Sequence, residues 1–345
     1  MINSDSRTAQ IVRRYQKIAW TTVGAVFFLI LVGGLVRMTG SGMGCPDWPQ
    51  CFGQWVPPTD ISQLPADYKT RFAVAGKEIA DFEATKTWIE YLNRLLGVII
   101  GGLGILTVLF AFPLRRTLPA VWRWSFAGLI LVILQGGLGA YVVRTDLQVG
   151  TITLHMFMAL LVLGVFMGGA LLSYPSRWTK MSLSLAKIDN KIILVSGFAL
   201  FIVLVQLLLG TQVREGVDEI AKAFGEAERT KWLSHLGISY TYHKYFYYAV
   251  VAAIGLAGWQ LKPVWQSAPL LKNMGLLALA LVGTEILLGL GMHHLGLPKI
   301  LQPLHLLLAS MLFADIAAIL MVLWRIKINQ NAPVETMSND LVLEG

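Results

Sequence analysis

The sequence predicts an all-α membrane protein: eight transmembrane helices, built as two pseudo-symmetric four-helix bundles, with N- and C-termini in the cytoplasm. Three observations predict it. Charge is scarce, apolar runs of membrane-crossing length recur, and unusual polar residues repeat at a fixed spacing. Only 14% of the 345 residues are charged and 55% are hydrophobic, whereas a soluble domain carries about 25% charged residues.

A helix needs about 20 apolar residues to cross the hydrocarbon core. Such runs are Ile18–Val36, Leu95–Leu114, Trp124–Val143, Leu147–Ser176, Ile192–Val213, Tyr245–Leu261, Asn273–Met292 and Ile300–Trp324. The first is span-length and lacks a small-residue cleavage site, so it reads as a span rather than a leader. Glycines within the runs, among them Gly101, Gly102, Gly104, Gly136, Gly137 and Gly139, let helices or a flat ligand approach closely in lipid.

The net charge of +8 reports orientation rather than a nucleic-acid partner. Arg7, Arg13, Arg14 and Lys17 precede the first run, Arg115, Arg116 and Arg123 follow the second, and Arg177, Lys180, Lys187 and Lys191 separate the fourth from the fifth. Lys262 and Lys272 lie between the sixth and seventh, and Arg325 and Lys327 follow the last. All fall on one side, which the positive-inside rule places in the cytoplasm. The opposite side receives two long loops, Met38–Trp88 and Arg214–Tyr242. The expected organisation is a cytoplasmic segment 1–17, a first half 18–176 with outer loop 38–88, a linker 177–191, a second half 192–326 and a tail 327–345. The expected setting is the inner (cytoplasmic) membrane, crossed several times.

The repeat appears when the chain is slid against itself by 150 residues. Asn93-Arg94 falls on His243-Lys244, Gln135 on Glu285, Gly139 on Gly289 and Leu154-His155 on Leu304-His305. At an offset of 177, Gly33 and Val36-Arg37 fall on Gly210 and Val213-Arg214, the difference being the longer first loop. Chance similarity among apolar segments would match leucines, not histidines. Four spans per repeat give both halves one orientation, as in parallel repeats about an axis along the membrane normal.

Ionisable residues at membrane depth are costly and point to function. His155 and His305 each fall about one turn inside the outer end of a span, His243 lies at the outer start of another, and Asn93 holds the matching place. One such histidine could be a helix–helix hydrogen bond. Two in register with a third on a partner helix suit a haem, whose iron takes an imidazole from each side. His243 and His305 form such a pair, while His155 with Asn93 leaves a weak or open position where oxygen chemistry can occur. Zinc would want three or four close ligands, which the spacing does not gather. His235, His293 and His294 have no repeat mate and read as solvated loop residues.

Glu90 stands one turn before Asn93 and Arg94. It reads either as an interfacial partner of Arg94 or as a proton-handling group at the rim of the first pocket, and the second reading is preferred. Arg37, Arg94, Arg144, Arg214 and Lys244 sit at outer helix ends, where snorkelling is common. Repeat-matched Arg37 and Arg214 are the better candidates for haem propionates, which suit arginine's fork. Cys45 and Cys51 are separated by five residues in a proline-rich outer loop. A disulfide that staples the loop and a labile redox pair beside the first pocket both remain open.

Gly33-Gly34-Leu35-Val36-Arg37, followed by Thr39-Gly40-Ser41-Gly42-Met43-Gly44-Cys45-Pro46-Asp47-Trp48-Pro49, resembles the first outer segment of the haem A synthase family. Glu90-Tyr91-Leu92-Asn93-Arg94 is similar to that family's acid-x-x-His-Arg signature, with Asn93 in place of the histidine. Leu154-His155-Met156, His243-Lys244 and Pro303-Leu304-His305 resemble its other histidine sites, with Lys244 keeping the charge of an arginine but not its fork. The resemblance covers residues 15–325. It implies oxidation of the C8 methyl of haem O, through an alcohol, to the formyl group of haem A for terminal oxidases. It further implies haem b on His243 and His305, substrate haem at His155 and the Asn93 position, Glu90 as the functional acid, and Cys45 and Cys51 as the first-loop pair. Arg37, Arg94, Arg214 and Lys244 are the propionate candidates. Implied partners are the lipid bilayer, haem O from a haem O synthase, an electron donor of unspecified identity and, in one option, further copies of the chain. The competing reading is a b-type membrane cytochrome that only passes electrons, for instance from quinol. A transporter would instead place broken helices at the midplane.

Overall fold

A computed structural model describes residues 2–332 of the chain. Among them the regular structure is helical apart from two isolated β-bridges, Cys51 with Gln54 and Val74 with Lys77. Eight long helices form the body: α1 Ile2–Met38, α2 Ala84–Ala111, α3 Pro119–Arg144, α4 Val149–Leu172, α5 Asn190–Phe224, α6 Ile238–Leu261, α7 Pro269–His294 and α8 Leu301–Gln330. Large side chains such as Val98, Leu194 and Trp259 point outward at 70–73% exposure. A bilayer solvates such residues, and water does not on this scale.

Seven of the eight are long and apolar enough to cross a membrane; α6 is the exception. Its 24 residues measure about 36 Å at 1.5 Å each, ample for a bilayer. Its first half, however, reads Ile-Ser-Tyr-Thr-Tyr-His-Lys-Tyr-Phe-Tyr-Tyr, which dilutes the apolar second half.

Two expected loops are shorter than the sequence suggests. The stretch Arg214–Tyr242 is helical at both ends, because α5 runs on to Phe224 and α6 starts at Ile238. Helix likewise enters the first loop from Ala84. A helix does not end where its apolar run ends; it ends where a backbone break stops it. Gly40 (φ +65°) follows α1 and Gly225 (φ +71°) follows α5, both in the left-handed region that glycine adopts without strain. The expected tail falls partly outside the described residues, which end at 332, while α8 continues to Gln330.

Packing runs in two circuits. α1 lies on α2, α2 on α3, α3 on α4, and α4 returns to α1; α5, α6, α7 and α8 are related in the same way. α8 also packs on α1 and α4, and α4 on α5. Consequently α8 is the most enclosed of the seven apolar helices, with 61% of its most apolar stretch buried against 33% or less elsewhere. Small residues permit this: Ala314, Ala317 and Ala318 join Val23, Val26 and Ile30 of α1 and Val162, Leu163 and Phe166 of α4 in one apolar cluster. At the end carrying the long loops, a Cβ on Gly34 would come within 3.0 Å of Pro303, so that glycine sets the α1–α8 approach.

The 150-residue repeat extends to the backbone. Pro119 and Pro269 each open a helix at its first turn, where proline loses no hydrogen bond. The preceding 3-10 turns, Phe112–Arg115 and Lys262–Val264, correspond as well. Leu147 (φ +57°) and Leu297 (φ +58°) both adopt the left-handed conformation just before α4 and α8. Each donates its N–H back to the preceding helix, Leu147 to Val142 at 3.0 Å and Leu297 to Met292 at 2.8 Å. A non-glycine residue there is uncommon; its recurrence at matched positions marks one turn used twice.

Candidate functional site

In the second half, His243 on α6 and His305 on α8 face each other with ring centroids 6.2 Å apart and planes at 84°. Two metal–imidazole bonds of about 2 Å, plus about 1 Å from each nitrogen to its ring centre, also give about 6 Å. The gap therefore matches a metal held between the two rings. The surroundings make room for it. A Cβ on Gly210 of α5 would lie 3.2 Å from His243 Cε1, and glycine leaves that space to the imidazole. Gln206, one turn earlier on α5, donates from Nε2 to the His243 carbonyl at 3.1 Å. Glu285 of α7 brings Oε2 to 2.8 Å from His305 Nδ1, a buried atom with no other partner. A carboxylate behind a ligating histidine fixes the ring and raises its basicity. His243 Nδ1 is likewise buried and unpartnered. The residues present fit a haem with two imidazole ligands.

The first half repeats this frame with different atoms. Gly33 of α1 faces Asn93 of α2, a Cβ there lying 4.0 Å from Asn93 Oδ1, just as Gly210 faces His243. Gly139 of α3 makes the same room for His155 of α4, at 3.3 Å from Cε1. Gln135, at the position matching Glu285, donates from Nε2 to the His155 carbonyl at 3.0 Å and stands 3.2 Å from its Nε2. Asn93 Oδ1 and His155 Nδ1 are buried without a hydrogen-bond partner. One imidazole and one amide oxygen thus occupy the places that two imidazoles hold in the other half.

Glu90 and the two cysteines form one unit. Cys45 and Cys51 are joined in a disulfide whose residues are fully buried, in a cluster with Phe52 and Tyr68 that Phe72, Phe82 and Tyr91 also pack against. Buried in this way, the bridge is shielded from the solvent access on which disulfide lability depends. The loop is pressed onto α2: a Cβ on Gly44 would run into the Lys86 carbonyl, and Thr87 Oγ1 donates to the Gly44 carbonyl at 2.9 Å. Glu90, 3% exposed, accepts the Cys45 N–H at 2.8 Å and pairs with Arg94. Arg94 in turn donates to the carbonyls of Cys45, Asp47 and Gln50. The pair buttons the loop to the helix that carries Asn93.

The other sequence-selected cations are placed differently. Arg37 and Arg214 converge on Asp218. Lys244 lies over the ring of Tyr245, 5.8 Å from its centroid. Two of the histidines read as loop residues are helical: His293 and His294 form the last turn of α7, and His293 Nδ1 lies 2.7 Å from the Tyr240 hydroxyl. His235 ends the short helix Trp232–His235 and is exposed. Sequence reasoning passed over Gln206 and Asp218, and it gave no role to Gln135 and Glu285. The alignment of the last two across the repeat was the available signal for them; an acid four residues after Arg214 was the signal for Asp218.

Together the helices and the mirrored polar positions define a multi-pass helical membrane protein with two related polar sites, one of them lined by opposed imidazoles. A family model for a cytochrome oxidase assembly protein (COX15-CtaA) matches residues 16–317, and the chain belongs to that family. It is 26% identical to a heme A synthase of Shewanella oneidensis over 63% of its own length. It is 27% identical to one of Erythrobacter litoralis over 56% of its length, and 31% to one of Alkalihalophilus pseudofirmus over 39%. The aligned portion spans 62%, 60% and 38% of those relatives' lengths, respectively.

Proposed function

We propose that the chain is a haem A synthase, an oxidoreductase that converts the C8 methyl of haem O to the formyl group of haem A. The observation that carries the reading is the 6.2 Å separation of the His243 and His305 rings; in the first half Asn93 and His155 hold the matching positions beside Gly33 and Gly139. His243 and His305 would hold haem b, which supplies a one-electron carrier when bound. His155 and Asn93 would line the pocket for the substrate haem. Glu285 orients His305, Gln206 and Gly210 seat His243, and Gln135 and Gly139 seat His155. Glu90 acts at the rim of the first pocket; its bond to Cys45 also ties that rim to the loop. Arg37, Arg214 and Lys244 serve propionates, and Arg94 gives most of its donors to the loop.

The architecture belonging to this reading is eight spans in two four-helix halves, 18–176 and 192–326, joined by linker 177–191. α6 is the eighth span. Segment 1–17 and tail 327–345 then lie in the cytoplasm with the basic connections, and both pockets open toward the outer face of the inner membrane. Substrate arrives through the bilayer from a haem O synthase, and an electron donor completes the cycle.

The test is extraction and chromatography of haems from membranes that express this chain together with a haem O source. Haem A or its alcohol precursor is expected, and Glu90→Ala should suppress it. Haems B and O alone, alongside a low-spin b spectrum, would replace this reading with that of an electron-transfer cytochrome.

A further inference from the structure

Arg37 and Arg214 each stand one turn beyond the glycine that faces their own half's ligand position, Gly33 opposite Asn93 and Gly210 opposite His243. Each therefore belongs to the rim of its own pocket. The two guanidiniums nevertheless converge on a single carboxylate. Arg37 donates from Nε and Nη2 to Asp218 Oδ2 at 3.1 and 3.0 Å. Arg214 brings Nη2 to 2.7 Å from Asp218 Oδ1 and donates to the main-chain carbonyl of Arg37 at 2.9 Å. At an offset of 177 the position matching Asp218 is Ser41, so the acid has no counterpart in the first half. Two cations related by the repeat thus meet on one unrepeated carboxylate.

The seam around this triad is polar as well. Thr153 of α4 meets Thr211 of α5 at 3.1 Å and donates to Glu215 Oε1 at 3.3 Å, while Glu215 Oε2 is buried without a partner. The arginine side chains are 22% exposed and that of Asp218 36%, so solvent screens the triad only in part.

We infer that Asp218 is a positioning residue that couples the two pockets electrostatically, holding Arg37 of the first half where its charge acts on the haem of the second. The inference rests on the haem b reading above and extends it. The direction follows from charge. Excess positive charge near a haem favours its reduced form, which carries one positive charge fewer, so Asp218→Asn raises the haem b midpoint potential and Arg37→Gln lowers it.

The experiment is a spectroelectrochemical titration of haem b in the purified full-length protein and its variants. The expected results are an upward shift for Asp218→Asn, a downward shift for Arg37→Gln, and a smaller Arg37→Gln shift when Asp218→Asn is already present, the non-additivity of a coupled pair. Arg37→Lys, which keeps the charge but not the fork, shifts the potential far less than Arg37→Gln and so guards against misfolding as the cause. An unmoved potential in Arg37→Gln, or the same shift in both backgrounds, overturns the coupling while haem b itself remains. A wild-type protein without low-spin haem b overturns the haem reading and the coupling with it.

Discussion

Where the second half sets His243 against His305, backed by the carboxylate of Glu285, the first half carries Asn93 and His155, backed by the neutral amide of Gln135. Glycines clear the same space in both, and the same left-handed leucine introduces the histidine helix in both. The difference therefore lies in the side chains and not in the frame. A carboxylate behind an imidazole strengthens it as a ligand; an amide does so less, and an asparagine oxygen is a weak axial partner. On the proposed reading, one pocket is made to keep its haem and the other to receive and release one.

The comparison breaks first at the strongest ligands. His305→Ala should abolish the low-spin haem b spectrum of the purified protein, whereas His155→Ala should leave it intact and stop haem A formation. Normal haem b in His305→Ala would refute the assignment of that residue. Glu285→Ala should weaken haem retention by about 10- to 100-fold, read as the rate of haem transfer to an apoprotein acceptor; unchanged retention would reduce Glu285 to a packing residue. Asn93→His gives the first half its second imidazole and should add a second low-spin component when haem O is supplied. A spectrum like that of the parent would mean that α2 does not present position 93 to the iron.

Smaller effects are expected where the loop meets α2. Glu90→Ala strips a buried charge pair of one partner and should cost about 3–5 kcal/mol of loop docking, seen as easier proteolysis of residues 39–83 in intact protein. Protection equal to wild type would show that Glu90 does not hold the loop. Replacing both cysteines by serine opens a short covalent loop and should cost about 2 kcal/mol by chain entropy, measured as a lower Tm with haem b retained. Loss of haem A at unchanged Tm would instead favour redox work by the disulfide.

Much of this was legible in the sequence because membrane chemistry restricts what a span can contain. His155, His243 and His305 stood out as ionisable groups at depth, and the matching of Gln135 with Glu285 gave the repeat before any coordinates. Asp218 was hidden because it has no mate, so the comparison that singled out Arg37 and Arg214 passed over the anion that joins them. The disulfide's burial was hidden as well, since loop cysteines look exposed until Phe52, Phe72 and Phe82 fold over them. Helix ends were misjudged for a simple reason. α5 continues eleven residues past Val213, to Phe224, through polar sequence that hydropathy assigns to a loop.

The tyrosine-rich start of α6 bears on how the chain enters a membrane. A helix partitions into lipid on its own when its side chains favour it, and His243 and Lys244 weigh against that. Of the eight long helices, α6 is the one the translocation machinery would retain least readily by itself. It packs extensively against α5, so it gains from a neighbour what its composition lacks. On the proposed reading, insertion of the second half is then a cooperative event, in which the helix bearing His243 is held in place by its partner from the moment it leaves the ribosome.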